Sequence, residues 1–181
     1  MLNIIVPGAE YFKEDTFEFI TIKEQKLQLE HSLVSLSKWE SKWCKPFLSE
    51  NNKTTEMNLD YIRCMTLTQN VDPKIYYALT SDNIKEITEY INAPMTATWF
   101  NQNDKNIKKN KREIVTAEII YYWMIVYNIP FECQKWHLNR LLTLIQVCNI
   151  KNNPQKISKK ELLNRNKALN EARRAKFNSK G

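Results

Sequence analysis

Glycine is almost missing from this chain: of 181 residues, only Gly8 and Gly181 lack a side chain. Phosphate-cradling loops and dinucleotide-binding fingerprints need several residues without a Cβ, so both are excluded. Barrels and sandwiches, whose tight turns consume glycine, are disfavoured for the same reason. Histidine is nearly as scarce. His31 and His137 stand alone, and neither has a Ser-His-Asp pattern around it. Cys44, Cys64, Cys133 and Cys148 are widely spaced, with no Cys-x-x-Cys pair, as expected of reduced thiols in a cytosolic protein. The short apolar run from Leu2 to Val6 has no basic leader, so no secretory signal is expected. A membrane-spanning helix needs about 20 mostly apolar residues. The apolar stretch from Ile114 to Phe131 is interrupted by Glu118, Asn128 and Pro130, and no membrane contact is expected.

What the chain does hold is the material of a folded domain. Hydrophobic residues make up 43% and aromatic residues 11%, well above the range of disordered chains. The length suits one domain with a core of its own. The net charge of +7 is unevenly placed. Residues 151–181 carry ten Lys or Arg against Glu161 and Glu171, a balance of +8, which leaves −1 on the first 150 residues. The basic character therefore belongs to a tail, and such a tail suits nucleic acid, an acidic protein surface, or solubility alone.

Short alternating runs at Leu2–Val6 and Phe17–Ile22 read as strands, with a turn at Pro7-Gly8 and a third strand at Leu27-Gln28-Leu29. From His31 the period changes to three or four. A helix is expected over Ser32–Cys44, capped by Ser32 and ended by Pro46. Another begins at Thr54-Thr55, with Leu59, Ile62 and Met65 on one face. Asp72-Pro73 starts a short helix holding Ile75, Tyr76 and Leu79. Ser81 caps a further one, whose Ile84, Ile87 and Ile91 share a side. These helices have polar opposite faces and should lie on a core. Met95–Phe100 and Arg112–Thr116 have strand composition and flank the basic loop NQNDKNIKKNK, which suggests a hairpin near 95–116 with a long exposed loop.

Thr116 to Asn149 holds the longest apolar run, Ile119 to Tyr127, then an Asn-Ile-Pro break, then a second helical stripe. The expectation is a helical hairpin, 116–127 and 131–149, that anchors the domain. Burying each large apolar side chain contributes roughly 1.5–3 kcal/mol. After Pro154, Ser158-x-x-Glu161 has the form of a capping box, and a basic helix should follow to about residue 176. The fold class is thus mainly α with a small N-terminal β-sheet (α+β). It comprises a compact helical body over 1–150, with the sheet in 1–30 and helices in 32–150, and a basic helical tail over 151–181.

Chemistry is thinly signalled. Cys133 and His137, four apart on one expected helix, could supply two metal ligands or a thiol with its base. A core cysteine beside a partly buried histidine is the commoner reading, and no metal or cofactor is expected. Glu118 lies among apolar residues and must face solvent or pair, with Arg140 or Lys135 as the nearest cations; an ion pair is the preferred reading. The tryptophans fall at helical or strand spacing and read as core. No catalytic residues are assigned. Contact with a partner is instead expected at two basic places: Lys108, Lys109, Lys111 and Arg112 in the loop, and Lys159, Lys160, Arg165, Arg173, Arg174 and Phe177 in the tail. Neither interleaves aromatic with basic residues as nucleic-acid readers do.

Several stretches together carry a resemblance: LEHSLVSLSKWESKW (29–43), DYIRCMT (60–66), NAPMTATWF (92–100), EIIYYWM (118–124), IPFECQKWHLNRLLTLIQVCN (129–149) and LNEARRAKFNSKG (169–181). Across most of its length the chain resembles a family of small tail-morphogenesis proteins of tailed bacteriophages. The resemblance implies a tail assembly chaperone or a minor tail or baseplate component. Such a protein acts without enzymatic activity, through contacts with other tail or virion proteins or with copies of itself, in the host cytoplasm during assembly or in the virion tail. The alternative is a small basic nucleic-acid-binding protein using the 105–112 loop and the 156–176 tail.

Overall fold

The computed structural model describes residues 1–13, 17–98, 100 and 114–152, together with positions 163, 167, 170, 171 and 174. The fold is mainly α with a small N-terminal β portion, an α+β arrangement. Strands β1 (Leu2–Val6), β2 (Ala9–Lys13), β3 (Glu18–Ile22) and β4 (Gln25–Leu29) come first. Helices α1 (Leu33–Trp43), α2 (Thr55–Met65), a 3-10 helix at Pro73–Ala78 and α3 (Ser81–Asn92) follow. Then come α4 (Ala117–Val126), a second 3-10 helix at Phe131–Lys135 and α5 (Leu138–Asn152).

The strands form two antiparallel ladders, β1 with β4 and β2 with β3. The pairing runs from Leu2↔Leu29 through Val6↔Gln25 to Ala9↔Ile22 and Lys13↔Glu18 with no slip of register. The four strands are therefore one long hairpin interrupted at Pro7-Gly8. Pro7 has no N–H to give to a ladder, which accounts for the interruption. Gly8 permits close backbone approach: a Cβ there would stand 3.1 Å from the Ile22 carbonyl oxygen and 3.3 Å from the Glu24 nitrogen. The turn expected at Pro7-Gly8 is thus a break within the arm, beyond which β2 pairs with β3. The base of the hairpin shows the alternation of a half-buried ladder, with Ile4, Val6, Leu27 and Leu29 inward.

That base is the floor of the main core. The largest buried cluster joins Val6, Leu27 and Leu29 to Trp39 of α1, Met57 and Met65 of α2, Ile75 of the first 3-10 helix and Ile87 of α3. Trp39 is fully enclosed, and its indole N–H donates to the Met57 carbonyl at 2.9 Å. The segment after α2 closes the free edge of β4: Glu30 N–H donates to Met65 O and Leu67 N–H to Gln28 O. Asn83 of α3 donates to Ile5 O on the other edge.

The 116–149 region differs from the expected two-helix hairpin. Asn128 adopts left-handed backbone (φ 51°), and Ile129 N–H returns to Met124 O, which ends α4. A 3-10 helix comes next, and α5 starts only at Leu138, after His137 has bridged to Ser32. Helix α4 packs on α1, burying Ala117, Ile120 and Met124. No residue of this region enters the main core cluster. Met95–Thr98, Phe100 and Ile114–Thr116 lie in no strand, and the rest of the expected 95–116 hairpin is outside the described residues. The chain divides into two compact units, Met1–Gln146 and Val147–Gly181. The second, taken by itself, holds the end of α5 and exposed helix at Leu163, Lys167, Asn170, Glu171 and Arg174.

Candidate functional site

Two constellations emerge in the first unit, one buried and polar, the other open and apolar. The buried one unites the chain's two histidines. The His31 and His137 rings meet edge to face at 5.1 Å. His31 Nδ1 lies 2.5 Å from the Tyr61 hydroxyl. His137 Nδ1 accepts from Asn139 N–H at 3.3 Å, so Nε2 carries the proton and donates to the Tyr90 carbonyl at 3.0 Å. Those two roles describe a neutral imidazole. The Tyr90 hydroxyl in turn donates to buried Glu30 at 2.8 Å, and the N-terminal amine of Met1 pairs with the other Glu30 oxygen at 3.0 Å. Burial, reinforced by His137, depresses the His31 pKa to about 3. Burial also lowers that of His137, against the raising effects of the Tyr90 carbonyl and Glu30. Every ring nitrogen of His137 is committed to backbone, which leaves none for a substrate or a metal.

Cys133 is buried, and burial foremost pushes its thiol pKa up, opposite to what a nucleophile needs. It sits in the second 3-10 helix, whereas His137 lies beyond that helix, so the shared helical face expected from their spacing does not form. Among the described residues no group of three or more His, Cys, Asp or Glu is placed to hold a metal ion. Nor is any helix there long and apolar enough to cross a membrane. Glu118 is exposed, and among the described residues no ion pair reaches it, so the expected partnership with Arg140 or Lys135 is absent. Arg140 instead lays its guanidinium over the Trp136 ring at 4.2 Å. Another carboxylate performs the buried role. Glu40 accepts from Phe47 N–H at 2.8 Å and from Ala117 N–H at 2.7 Å, capping α4 where Thr116 makes no side-chain bond.

The open constellation is a groove of about 540 Å³ between α2 and α3. Thr55, Asn58, Leu59 and Ile62 form one wall, spaced as neighbours on one helix face. Ile84, Ile87, Thr88 and Ile91 form the other at the same period. Tyr61, Tyr76 and Tyr77 with Phe47 contribute an aromatic floor and end. Phe47 stacks on Tyr61 at 3.9 Å between ring centres. The guanidinium of Arg63 lies over the Tyr76 and Tyr77 rings at 5.3 and 5.6 Å. Among the described residues that line the groove none is charged, and the nearby cations Lys53 and Arg63 sit over its aromatic rings. An apolar cleft of this size with a few polar groups at its rim is built to take an apolar ligand surface out of water.

Sequence periodicity reads the Leu59–Ile62 and Ile84–Ile87–Ile91 stripes as core-facing. Ile87 is indeed buried, but Ile84 is 38% exposed and the stripe opens onto the groove. Period alone has no means of separating a stripe that covers a core from one that lines a cleft. Of the basic residues expected to meet a partner, Arg174 is helical and exposed. Lys108, Lys109, Lys111, Arg112, Lys159, Lys160, Arg165, Arg173 and Phe177 lie outside the described residues. Comparison of the chain with protein-family models, curated proteins and solved structures finds no match.

Proposed function

We propose that this chain is a non-enzymatic tail-morphogenesis protein of a tailed bacteriophage, working by protein–protein contact, with the α2–α3 groove receiving an apolar segment of its partner. The observation that carries the contact reading is the lining of the groove: aliphatic and aromatic walls, with the polar groups among the described lining residues confined to Thr55, Asn58, Thr88 and the tyrosine hydroxyls, and no charged residue among them. Binding there draws its free energy from apolar surface removed from water, which suits a helix or extended segment laid in a groove. The phage context is supported by the resemblance of the six stretches quoted above. The protein would act in the host cytoplasm during assembly, either leaving the finished particle as a chaperone does or staying in the tail as a minor component.

Mass spectrometry of purified particles separates these two roles: a component is present, a chaperone missing. Co-purification from infected cells tests the reading itself. The wild-type chain should retain a tail protein that Ile84→Glu loses. A chain that is absent from particles and binds no tail protein in infected cells overturns the proposal. The nucleic-acid alternative is supported by the +8 balance of residues 151–181 and by exposed Lys167 and Arg174 on the tail helix. It requires retention on heparin at low salt and a steep loss of DNA binding as salt rises.

A further inference from the structure

The groove is uncharged along its lining, but two cations stand against its aromatic end, and they say something about what it receives. Arg63 lies four positions beyond Leu59 on α2, and its guanidinium rests over Tyr76 and Tyr77, both of them lining residues. Its only ion pair among the described residues is a loose one, Nη1 to Asp60 Oδ1 at 3.8 Å. Asp60 is already satisfied: Lys42 Nζ donates to Oδ1 at 2.5 Å and the Trp43 indole to Oδ2 at 2.9 Å. One buried carboxylate thus answers two cations, which leaves a positive charge in excess. Arg63 Nε is buried as well, and among the described residues it has no acceptor. A guanidinium in that condition favours a carboxylate oxygen over a neutral group. Lys53, two residues before α2, holds its Nζ 4.5 Å from the centre of the Phe47 ring, which also lines the groove. Burial lowers the Lys53 pKa, against the raising effect of Glu50.

The acids of the neighbouring wall face elsewhere. Asp82, Glu86 and Glu89 are exposed on α3, each two positions from one of Ile84, Ile87 and Ile91. Two positions are about 200° round a helix, so these carboxylates occupy the side away from the groove. Glu50 and Glu56 flank Lys53 in sequence but line no part of the cleft. Resting on the groove reading above, we infer that the apolar segment it receives carries an acidic side chain, Asp or Glu, seated at the aromatic end against Arg63, with Lys53 as the flanking cation. An apolar segment without that carboxylate leaves the excess charge unanswered, so the groove discriminates among apolar partners by it.

Two dyes built on one ring system test this on the full chain: neutral N-phenyl-1-naphthylamine and anionic 8-anilinonaphthalene-1-sulfonate. The ratio of their affinities, read by fluorescence titration, sets the shared apolar contact aside and reports the charge. Arg63→Gln should shift that ratio against the anionic dye by roughly three- to five-fold. Lys53→Gln should shift it less, and Arg63→Lys should retain most of the wild-type ratio. Raising salt to about 0.5 M should shift the wild-type ratio the same way. The neutral dye should bind these variants as it binds wild type, and Ile84→Glu should lose both dyes. If neither dye binds wild type, or Ile84→Glu keeps both, the groove reading fails and this inference with it. If Ile84→Glu loses both while Arg63→Gln leaves the ratio unchanged, the acidic complement is overturned and the groove stands.

Discussion

His31 and His137, 106 positions apart and the only histidines in the chain, meet edge to face at 5.1 Å in the interior. The contact joins the start of α1 to the start of α5, where Leu138 N–H also donates to His31 O at 2.7 Å. Because His31 titrates near 3 when folded and near 6.5 when unfolded, the unfolded chain binds the extra proton between those values. The contribution of His31 is thus complete above pH 6.5 and is lost as pH falls toward 3. His137, also lowered, acts in the same direction. We expect stability to fall by roughly 2 kcal/mol from His31 alone between neutral pH and pH 5, from about 1.4 kcal/mol per pH unit. Urea unfolding measured from pH 7 to pH 4 checks this. His31→Asn, which can still bond the Tyr61 hydroxyl, should start from a lower stability but show a shallower slope. An unchanged slope would mean that other groups govern the acid response.

Glu40 makes a second long-range tie, with one carboxylate serving two backbone N–H groups on separate segments, Phe47 and Ala117. Glu40→Ala leaves both donors without that acceptor, at a cost of about 1–3 kcal/mol each in a buried setting. Glu40→Gln keeps one carbonyl oxygen and should lose about half as much. Hydrogen exchange would localise the effect, because the first turn of α4 should lose protection in Glu40→Ala while β1 and β4 keep theirs.

The helical elements were largely legible in the chain, and the reasons are local. Ser32 caps α1 with Ser35 answering it, Thr54 and Asp72 cap the next two elements, and only the α3 cap is displaced by one position, from Ser81 to Thr80. What failed to show was whatever depends on meeting a distant segment. Strand β3 was expected, but β2 stayed hidden because Pro7-Gly8 has the composition of a turn, although the register continues across it. Glu118 drew attention by standing in an apolar run but is exposed, whereas Glu30, Glu40 and Asp60, in stretches with no such contrast, are the carboxylates that are buried among the described residues. The all-round apolar character of α4 was visible, but period gives no sign that one of its sides would be left open. The stripes were read correctly as core-facing at Ile62, Met65 and Ile87, and what the period did not show is that Ile84 at one edge stands open on the groove.

The scarcity of glycine has a structural consequence that can be measured. Left-handed backbone occurs at Phe17, Cys44, Asn70, Met95 and Asn128, none of them glycine. Cys44 ends α1 at φ 51°, exposed, with its N–H bonded to Glu40 O at 2.8 Å. A side chain in that conformation costs about 1 kcal/mol relative to glycine, partly offset by the greater freedom of glycine in the unfolded chain. Cys44→Gly should therefore raise stability by a few tenths to about 1 kcal/mol, read as a higher urea midpoint with an unchanged denaturant slope. A lower midpoint would show that the exposed thiol contributes packing that outweighs the backbone relief.

The groove allows binding and folding to be separated within one helix, because Ile84 and Ile87 are three positions apart on α3 and differ in burial. Ile87 is 2% exposed and belongs to the main core cluster, whereas Ile84 stands 38% exposed at the rim. Ile87→Ala removes core volume and should cost about 2–4 kcal/mol, as buried Ile truncations do. Ile84→Glu should leave the unfolding free energy within about 0.5 kcal/mol of wild type, yet place a charge where an apolar partner would sit. The expected pattern is a stable Ile84→Glu chain that has lost its partner, beside an Ile87→Ala chain whose main loss is in stability, with any loss of affinity smaller than that of Ile84→Glu. Calorimetry gives the first quantity and titration with the co-purified tail protein the second. If Ile84→Glu binds as wild type does, the apolar lining of the groove is not where the partner sits, and the tail helix with Lys167 and Arg174 becomes the surface to truncate next.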